Sequence, residues 1–332
     1  MQALGKLHPA TLAQHAGGVV ARLQDSEEEV RLKALQTMGK LEPATLAQHA
    51  HTVVARLEDS DEWVRHLALE TMGKLEPATL AQHAHTLVAR LEDSDGLVRQ
   101  TALETLARLD PVTLAQYVDN VVAVLEGAEI DDDEFAYGPN PRRAALETLA
   151  RLDPATLAQH AGAVIAKLEH WFYPVRATAL ETLARLDPEA LAPHANAVVA
   201  MLEDDEEDVR EAAVKTLGKL EPATLAQHAD AVVAMLEDSE VDVRVKALET
   251  LGKLEPATLA LYVDGVIKMI EDEYVPNVRL QALDTLGKLA LATLAPHFNA
   301  IVARRFDIHT NVINKARQLR VRLRWYLSLI HI

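Results

Sequence analysis

The sequence has no cysteine, few aromatic residues and no long apolar run. Without cysteine, the chain can form no disulfide, thiolate nucleophile, iron–sulfur cluster or cysteine-ligated zinc site. Aromatic residues make up 4% of the chain, whereas apolar residues of all kinds make up 49%. The apolar residues are chiefly leucine, alanine and valine, and since leucine and alanine favour helices, an all-β fold is disfavoured.

Charge and hydropathy limit the partners and the location. No stretch of about 18 apolar residues is present, and the N-terminus lacks the basic segment and apolar core of a signal peptide. We therefore expect a soluble, intracellular, cytoplasmic protein with no membrane partner. The net charge of -17 repels phosphate backbones, so nucleic acid is a disfavoured partner.

One segment is repeated along the whole chain. Pro-Ala-Thr-Leu-Ala-Gln-His-Ala, or a close variant, begins at Pro9, Pro43, Pro77, Pro111, Pro154, Pro188, Pro222 and Pro256. The interval is 34 residues except between Pro111 and Pro154, where it is 43. A ninth copy begins near Ala292 without the proline, and residues 1–7 match the tail of an incomplete repeat.

The apolar spacing predicts two helices in each repeat. In the second repeat a first stripe predicts helix A, with Leu46, Ala50, Val53, Val54 and Leu57. A second stripe predicts helix B, with Val64, Ala68, Thr71, Met72 and Leu75. Because one helix pair cannot cover its own apolar face, the repeats must stack, which predicts an all-α solenoid of about nine helix pairs.

A motif around the start of helix B carries a family resemblance. Leu-x-Asp, then four residues, then Val-Arg-x-x-Ala is formed by Leu57, Asp59, Val64, Arg65 and Ala68. The motif resembles the signature of HEAT repeats and of their short HEAT-like relatives of the phycobilisome-lyase type. The resemblance implies a right-handed α-α superhelix of the HEAT/armadillo class, as a single solenoid over residues 1–332. Tetratricopeptide repeats share the 34-residue period, but their Trp, Gly-Tyr and Ala-Phe positions are absent.

The resemblance also implies a structural ladder of hydrogen bonds between neighbouring repeats. The Asp and the Arg of the motif form it in the family. The matching positions are Asp25 and Arg31, Asp59 and Arg65, Asp93 and Arg99, Asp204 and Arg210, and Asp238 and Arg244.

Positions next to the motif Arg differ among the copies, so the shared packing does not constrain them. Helical geometry places them on the side of helix B away from its apolar stripe, which the resemblance assigns to the concave face. We interpret this surface as a partner-binding site, with candidates Trp63, His66, Leu97, Gln100 and Arg143. Sequence drift on a solvated face is the alternative. Trp63 and Leu97 favour binding, because aligned exposed apolar groups mark interaction sites.

Two adjacent repeats depart most from the pattern. The fourth contains an insertion, residues 126–141, with four consecutive acids at 131–134 and with Phe135 and Tyr137. In the fifth, the turn before helix B reads His170, Trp171, Phe172 and Tyr173. We predict that these residues form one ridge and the main contact for a protein or peptide partner, because aromatic anchors dominate interfaces. Alternatively, the aromatic turn packs under the insertion and closes a small local core.

No catalytic or metal-binding pattern is present. The acids at 131–134 lack the spacing of a calcium loop. A histidine recurs once per repeat, with Tyr117 and Tyr262 replacing it in two copies, which indicates a structural column. We therefore expect a non-catalytic interaction scaffold without cofactor or metal. The resemblance implies one alternative, a bilin-lyase-like role, in which a chromophore pocket would be lined by Tyr137, His170, Trp171, Phe172 and Tyr173.

The charge reverses at the C-terminal end. Residues 301–332 carry seven Lys or Arg against Asp307, a net +6, which leaves -23 for residues 1–300. We interpret residues 301–332 as a divergent basic cap. Because the array begins within a repeat, we expect either a fragment of a longer protein or head-to-tail self-association.

Overall fold

A computed structural model describes residues 8–127, 138–271, 275–304 and 307–330, which form helices and turns without a β-strand. The predicted all-α repeat fold is confirmed. The chain divides into two compact units, Met1–Lys167 and Leu168–Ile332, and each is a stack of helical repeats. The N-terminal residues 1–7 and most of the insertion, residues 128–137, lie outside the described residues.

Helix B is continuous in every repeat. We number these helices by repeat, and their bounds are α1 Glu28–Met38, α2 Glu62–Met72, α3 Gly96–Leu106, α4 Pro141–Leu149, α5 Tyr173–Leu183, α6 Glu207–Leu217, α7 Val241–Leu251, α8 Pro276–Leu286 and α9 Thr310–Ile330. Within each unit, consecutive members pack side by side. The last, α9, has 21 residues instead of the usual 11, and it buries Val312, Ala316, Leu319 and Leu323.

In α2, α3 and α4 a capping side chain defines where helix B begins. Asp61 accepts a hydrogen bond from Val64 N–H at 2.9 Å, and Asp95 accepts one from Val98 N–H at 2.9 Å. These bonds satisfy N–H groups that have no partner within the helix. In α4, Asn140 does the same for Arg143 N–H at 2.8 Å. The repeated turn thus fixes where each of these helices begins.

The prediction of one continuous helix A is wrong. In the second repeat it is two short helices, Pro43–Ala47 and Ala50–Val54, followed by the 3-10 turn Ala55–Glu58. At the break, His49 has φ -118° and ψ 9°, and its N–H bonds Leu46 O in a tighter, three-residue turn. The apolar stripe continues across the break, with Leu46, Ala50, Val53 and Leu57 buried, so periodicity alone does not reveal it.

The same break recurs at the histidine or tyrosine column in the other repeats. The helical segments before α1 and α3 to α9 are Pro9–Ala13 and Ala16–Arg22; Pro77–Ala81, Ala84–Val88 and Ala89–Glu92; Pro111–Ala115 and Val118–Glu126; Pro154–Gln159, Ala161–Ile165 and Ala166–Glu169; Pro188–Leu191, Ala192–His194, Ala195–Ala200 and Met201–Glu203; Pro222–Ala226, Ala229–Ala234 and Met235–Glu237; Pro256–Leu259, Ala260–Tyr262 and Val263–Met269; and Leu291–Leu294, Ala295–His297 and Phe298–Ala303. We call them the A segments.

A column of buried threonines runs through the B helices and has no counterpart in the sequence predictions. Thr216 is 1% exposed, and its hydroxyl lies 2.7 Å from Ala212 O in its own helix and 3.0 Å from Leu180 O in α5. Thr105, Thr148, Thr250 and Thr285 approach the preceding helix B in the same way. Because a buried hydroxyl needs a partner, the column fixes the register of neighbouring helices.

Candidate functional site

In five of the described repeats the motif arginine joins its repeat to the next one. Arg65 donates to Asp59 O of its own repeat at 2.9 Å, and to both carboxylate oxygens of Asp93 at 2.9 and 2.8 Å. Such two-point contacts are strong and directional. The same inter-repeat bond joins Arg31 to Asp59, Arg176 to Asp204, Arg210 to Asp238 and Arg279 to Asp307.

These partners refine the ladder that the family resemblance implied. Within one repeat, Arg99 and Arg244 reach Asp93 and Asp238 only through the backbone carbonyl, at 2.8 Å each. The carboxylate pairs instead with the arginine 28 residues earlier, except Asp25, which pairs with Arg22 at 3.2 Å. Arg176, Arg279 and Asp307 also belong to the ladder, although the motif by itself did not identify them. The constant separation of 28 residues is the signal that would have identified them.

Burial and hydrogen bonding act in opposite directions on the ladder carboxylates. Burial by itself raises the pKa of Asp93, but the hydrogen bonds from Arg65 and from Asp95 N–H, with the charges of Arg65 and Arg90, hold it below its usual value. The pKa values of Asp204, Asp238 and Asp307 are lowered by equivalent partners. These four aspartates are therefore carboxylates near neutral pH, which suits a structural role.

The aromatic turn of the fifth repeat keeps the backbone of the other turns. His170 Nδ1 accepts a hydrogen bond from Phe172 N–H at 3.1 Å, as Asp59 accepts one from Asp61 N–H at 3.2 Å. Arg176 donates to His170 O at 2.9 Å, matching the bond from Arg65 to Asp59 O. His170 is 7% exposed, so it replaces the turn aspartate rather than facing a partner.

The other side chains of this turn are accessible. Trp171 is 49% exposed and lies between His170 and Phe172, with ring centroids 5.8 and 5.3 Å away. Phe172 and Tyr173 are half-buried, with their centroids 6.0 Å apart. The turn thus presents one large exposed indole supported by a chain of neighbouring rings.

The helix-B candidates lie along α2, α3 and α4. Trp63 is 55% exposed and meets the ring of His66 edge to face at 6.1 Å. His66 Nδ1 lies 2.8 Å from Thr101 Oγ1 on α3, and Gln100 accepts a hydrogen bond from Asn140 N–H at 2.8 Å. His66 and Gln100 therefore use polar groups in contacts between neighbouring repeats. Trp63 remains as the accessible apolar group of this surface.

The remaining candidates are placed differently. Leu97 is half-buried, whereas Arg143 is exposed and pairs with Glu147 at 3.0 Å on the same helix. Phe135 and Tyr137 lie outside the described residues, so the ridge predicted between the insertion and the aromatic turn stays a prediction. The surface that the structure does define in the first unit is centred on Trp63.

Two further observations concern metals and membranes. In the described parts of the chain, no three His, Asp or Glu side chains come together as metal ligands. None of the described helices combines the length and the hydropathy needed to cross a bilayer.

Comparison with known proteins places the fold. The family model described as HEAT repeats matches residues 16–107, 50–137 and 161–229, which together cover more than half of the chain. An engineered protein solved by a structural genomics consortium is similar in structure, with a TM-score of 0.63 and 14% identity over 97% of this chain and 93% of that one. At that identity the likeness concerns the fold alone. No curated protein matches the sequence.

Proposed function

Because the chain belongs to the HEAT-repeat family, we propose that it is a non-catalytic scaffold that binds a protein or peptide partner through two exposed aromatic groups. HEAT repeats are in general protein-interaction scaffolds. The first group is Trp63, on the helix-B surface of the first unit, and the second is Trp171, at the aromatic turn of the second unit. Each tryptophan is proposed to contact the partner independently of the other.

The exposure of the two indoles carries the proposal. Aromatic residues are scarce in this chain, and an indole that is half exposed leaves a large apolar area in water. Both rings are also held in place: Trp63 by His66, which contacts Thr101, and Trp171 by its neighbouring rings. A preorganised aromatic side chain loses little entropy on binding, which is typical of interface anchors.

The test compares each tryptophan with an exposed apolar residue elsewhere in the same unit. Val112 and Leu261, on A segments, are 76% and 78% exposed. A partner captured from a lysate of the source organism by the intact chain is purified and titrated against Trp63→Ala, Trp171→Ala, Val112→Ala and Leu261→Ala. Since an interface anchor contributes about 2 kcal/mol, at least one tryptophan variant is expected to bind at least about tenfold more weakly. Circular dichroism and thermal melting verify folding.

Two results would contradict the proposal. One is unchanged affinity in both tryptophan variants, and the other is an equal loss in the Val112 or Leu261 controls. If Trp171→Ala lowers the melting temperature without changing affinity, the aromatic turn is a local core.

The bilin-lyase-like alternative has a separate signature. A chromophore held against the rings of the aromatic turn would change its absorption spectrum on binding. Titration of bilin into the intact chain and into Trp171→Ala distinguishes the two roles. A spectral shift that is lost in the variant favours chromophore binding. The absence of a shift in the intact chain rules out the bilin-lyase-like role.

A further inference from the structure

A row of cations follows the C-terminal ends of the B helices. Nine residues after each motif Arg position stands a Lys or an Arg, and in the second unit these are Arg185, Lys219, Lys253, Lys288 and Arg322. Lys253 donates to Gly218 O at 2.5 Å, Lys288 to Gly252 O at 2.7 Å, and Arg322 to Gly287 O at 3.2 Å. These three cations thus cap the preceding helix B, as the helix dipole favours.

Capping a helix end does not use every N–H donor of a lysine. An ammonium group has three N–H donors, and Lys219, Lys253 and Lys288 are exposed. One donor of Lys253 and one of Lys288 serve the glycine carbonyl, so the others face solvent or a ligand. The row is therefore available to an anion without loss of the helix caps.

Further cations join this row mainly in the second unit. Positions two and five residues after the motif Arg lie on the same helix face as position nine. Over α6 to α9 these three positions hold seven cations and two acids: Lys215, Lys219, Lys246, Lys253, Lys288, Lys315 and Arg322, with Glu249 and Asp284. Over α1 to α4 they hold five cations and three acids: Lys33, Lys40, Lys74, Arg108 and Arg151, with Glu70, Glu104 and Glu147.

The two acids of the α6 to α9 row are already neutralised within it. Lys246 pairs with Glu249 at 2.7 Å, and Lys315 pairs with Asp284. The row has a net charge of +5, against +2 for its counterpart in the first unit, in a protein whose net charge is -17. We call the seven cations of α6 to α9 the basic stripe.

The lysines of the basic stripe are close enough to repel one another. Partial burial and the charges of Lys219, Lys246 and Lys288 lower the pKa of Lys253, and only Glu249 opposes them. An anion placed on the stripe would relieve this repulsion.

The stripe also has a concave end. A groove of about 490 Å³ lies between α8 and α9, and Lys288, Lys315 and Arg322 line it together with the amides of Gln281 and Gln318. Asp284 lines it as well, paired with Lys315. Three cations and two amides around one groove are hydrogen-bond donors suited to a carboxylate group.

We propose that the basic stripe binds an extended acidic peptide whose carboxylates recur every third residue. Packed helices lie about 8–10 Å apart, so successive cations of the stripe recur at about that interval. A peptide in the extended polyproline II conformation has three residues per turn and rises about 3.1 Å per residue. Carboxylates three residues apart then lie on one face at about 9 Å, which matches this interval. A nucleic acid fits less well, since duplex DNA carries a charge every ~1.7 Å, much closer than the cations of the stripe.

The inference goes beyond the proposed function and concerns other residues, so the two can fail separately. The probe is a fluorescein-labelled peptide of five Glu-Gly-Ser repeats, measured by fluorescence anisotropy with the full-length protein at low salt. Five Gln-Gly-Ser repeats, a peptide of the same composition with its glutamates consecutive, and an oligothymidine are the comparison ligands. The spaced glutamate peptide is expected to bind most tightly.

The variants use residues that other repeats already carry. Glu stands at the position of Lys215 in several copies, and Thr stands at the position of Lys246 in two, so Lys215→Glu combined with Lys246→Thr retains the repeat pattern. This variant is expected to bind the spaced peptide at least about fivefold more weakly, because it removes two charges and adds a repulsive one. The matched control in the first unit combines Lys40→Gln with Lys74→Gln and is expected to bind as the intact chain does.

Four outcomes would overturn the inference. They are no binding of the spaced peptide, equal binding of the peptide with consecutive glutamates, tighter binding of the oligothymidine, and an equal loss in the first-unit control. Unchanged peptide binding by Trp63→Ala and Trp171→Ala is expected and separates this site from the scaffold surfaces.

Discussion

Arg65 of the second repeat donates to both carboxylate oxygens of Asp93 in the third, at 2.9 and 2.8 Å, and the two side chains are only 11% and 4% exposed. Its Nη1 amino group donates to the turn carbonyls of Asp59 and Ser60. One side chain therefore fixes the turn of its own repeat and the position of the next. The bond to the next repeat recurs for Arg31 in the first unit and for Arg176, Arg210 and Arg279 in the second, so it stabilises the stacking in both units.

Removing one member of this pair is expected to destabilise the first unit strongly. In Asp93→Ala the Arg65 guanidinium stays buried without its carboxylate, which costs about 3 kcal/mol in comparable buried pairs. Urea denaturation of the full-length protein measures the change. Glu29→Ala, which breaks the exposed pair with Lys33, is the control and is expected to leave the midpoint unchanged. A loss no larger than that of the control would show that the ladder is not stabilising.

The ladder also predicts loss of stability in acid. The pKa values of Asp93, Asp204, Asp238 and Asp307 lie below the ordinary value of 3.8 in the folded protein. Their contribution is therefore complete above pH 3.8, the value in the unfolded chain, and is lost as the pH falls through the folded pKa values. Melting temperatures between pH 6 and pH 2 should fall most steeply below pH 4, and less steeply in Asp238→Asn. A decline that is the same in the variant would contradict this assignment.

His83 predicts a second, milder pH dependence. Burial, followed by the charges of His85 and His51, lowers its pKa from the ordinary value of 6.5. The unfolded chain then binds this proton more readily, so its contribution is complete above pH 6.5 and decreases as the pH falls towards the folded pKa. Tyr117 and Tyr262 occupy the same repeat position, which makes His83→Tyr a conservative replacement. The variant should lose less stability between pH 7 and pH 5 than the intact chain, and an unaltered pH profile would contradict the prediction.

The threonine column predicts a modest effect of its own. Thr216→Val keeps the shape but removes the hydroxyl that lies between Ala212 O and Leu180 O. Both carbonyls belong to helices, so the variant leaves no buried donor unpaired, and the expected cost is about 1 kcal/mol, the usual net value of one hydrogen bond. Denaturation with urea measures it. A cost above about 3 kcal/mol would indicate that the column does more than fix register.

The helical repeats of this protein were predictable from its sequence, whereas the partners of individual side chains were not. The 34-residue period and the apolar stripes were enough to predict the helix pairs and the stacking, because both follow from which side chains must leave water. The family resemblance implied that the motif Asp and Arg form a ladder between neighbouring repeats, but it did not indicate which carboxylate each arginine meets. The structure pairs Arg65, Arg176 and Arg210 each with the aspartate 28 residues later, because the packing of neighbouring repeats brings these two side chains together.

The candidate site shows the same limit. Exposure of Trp63 followed from its position opposite the apolar stripe, and the structure agrees, whereas His170 was indistinguishable by sequence from its exposed neighbour Trp171. Only the turn geometry shows that His170 takes the hydrogen bond of the missing aspartate and is buried. Likewise, a cation at each helix end was visible in the sequence, but the joining of Lys215, Lys246 and Lys315 into one stripe depends on the lateral packing of α6 to α9. Local periodicity thus determined the repeats, and the packing between helices decided which side chains meet.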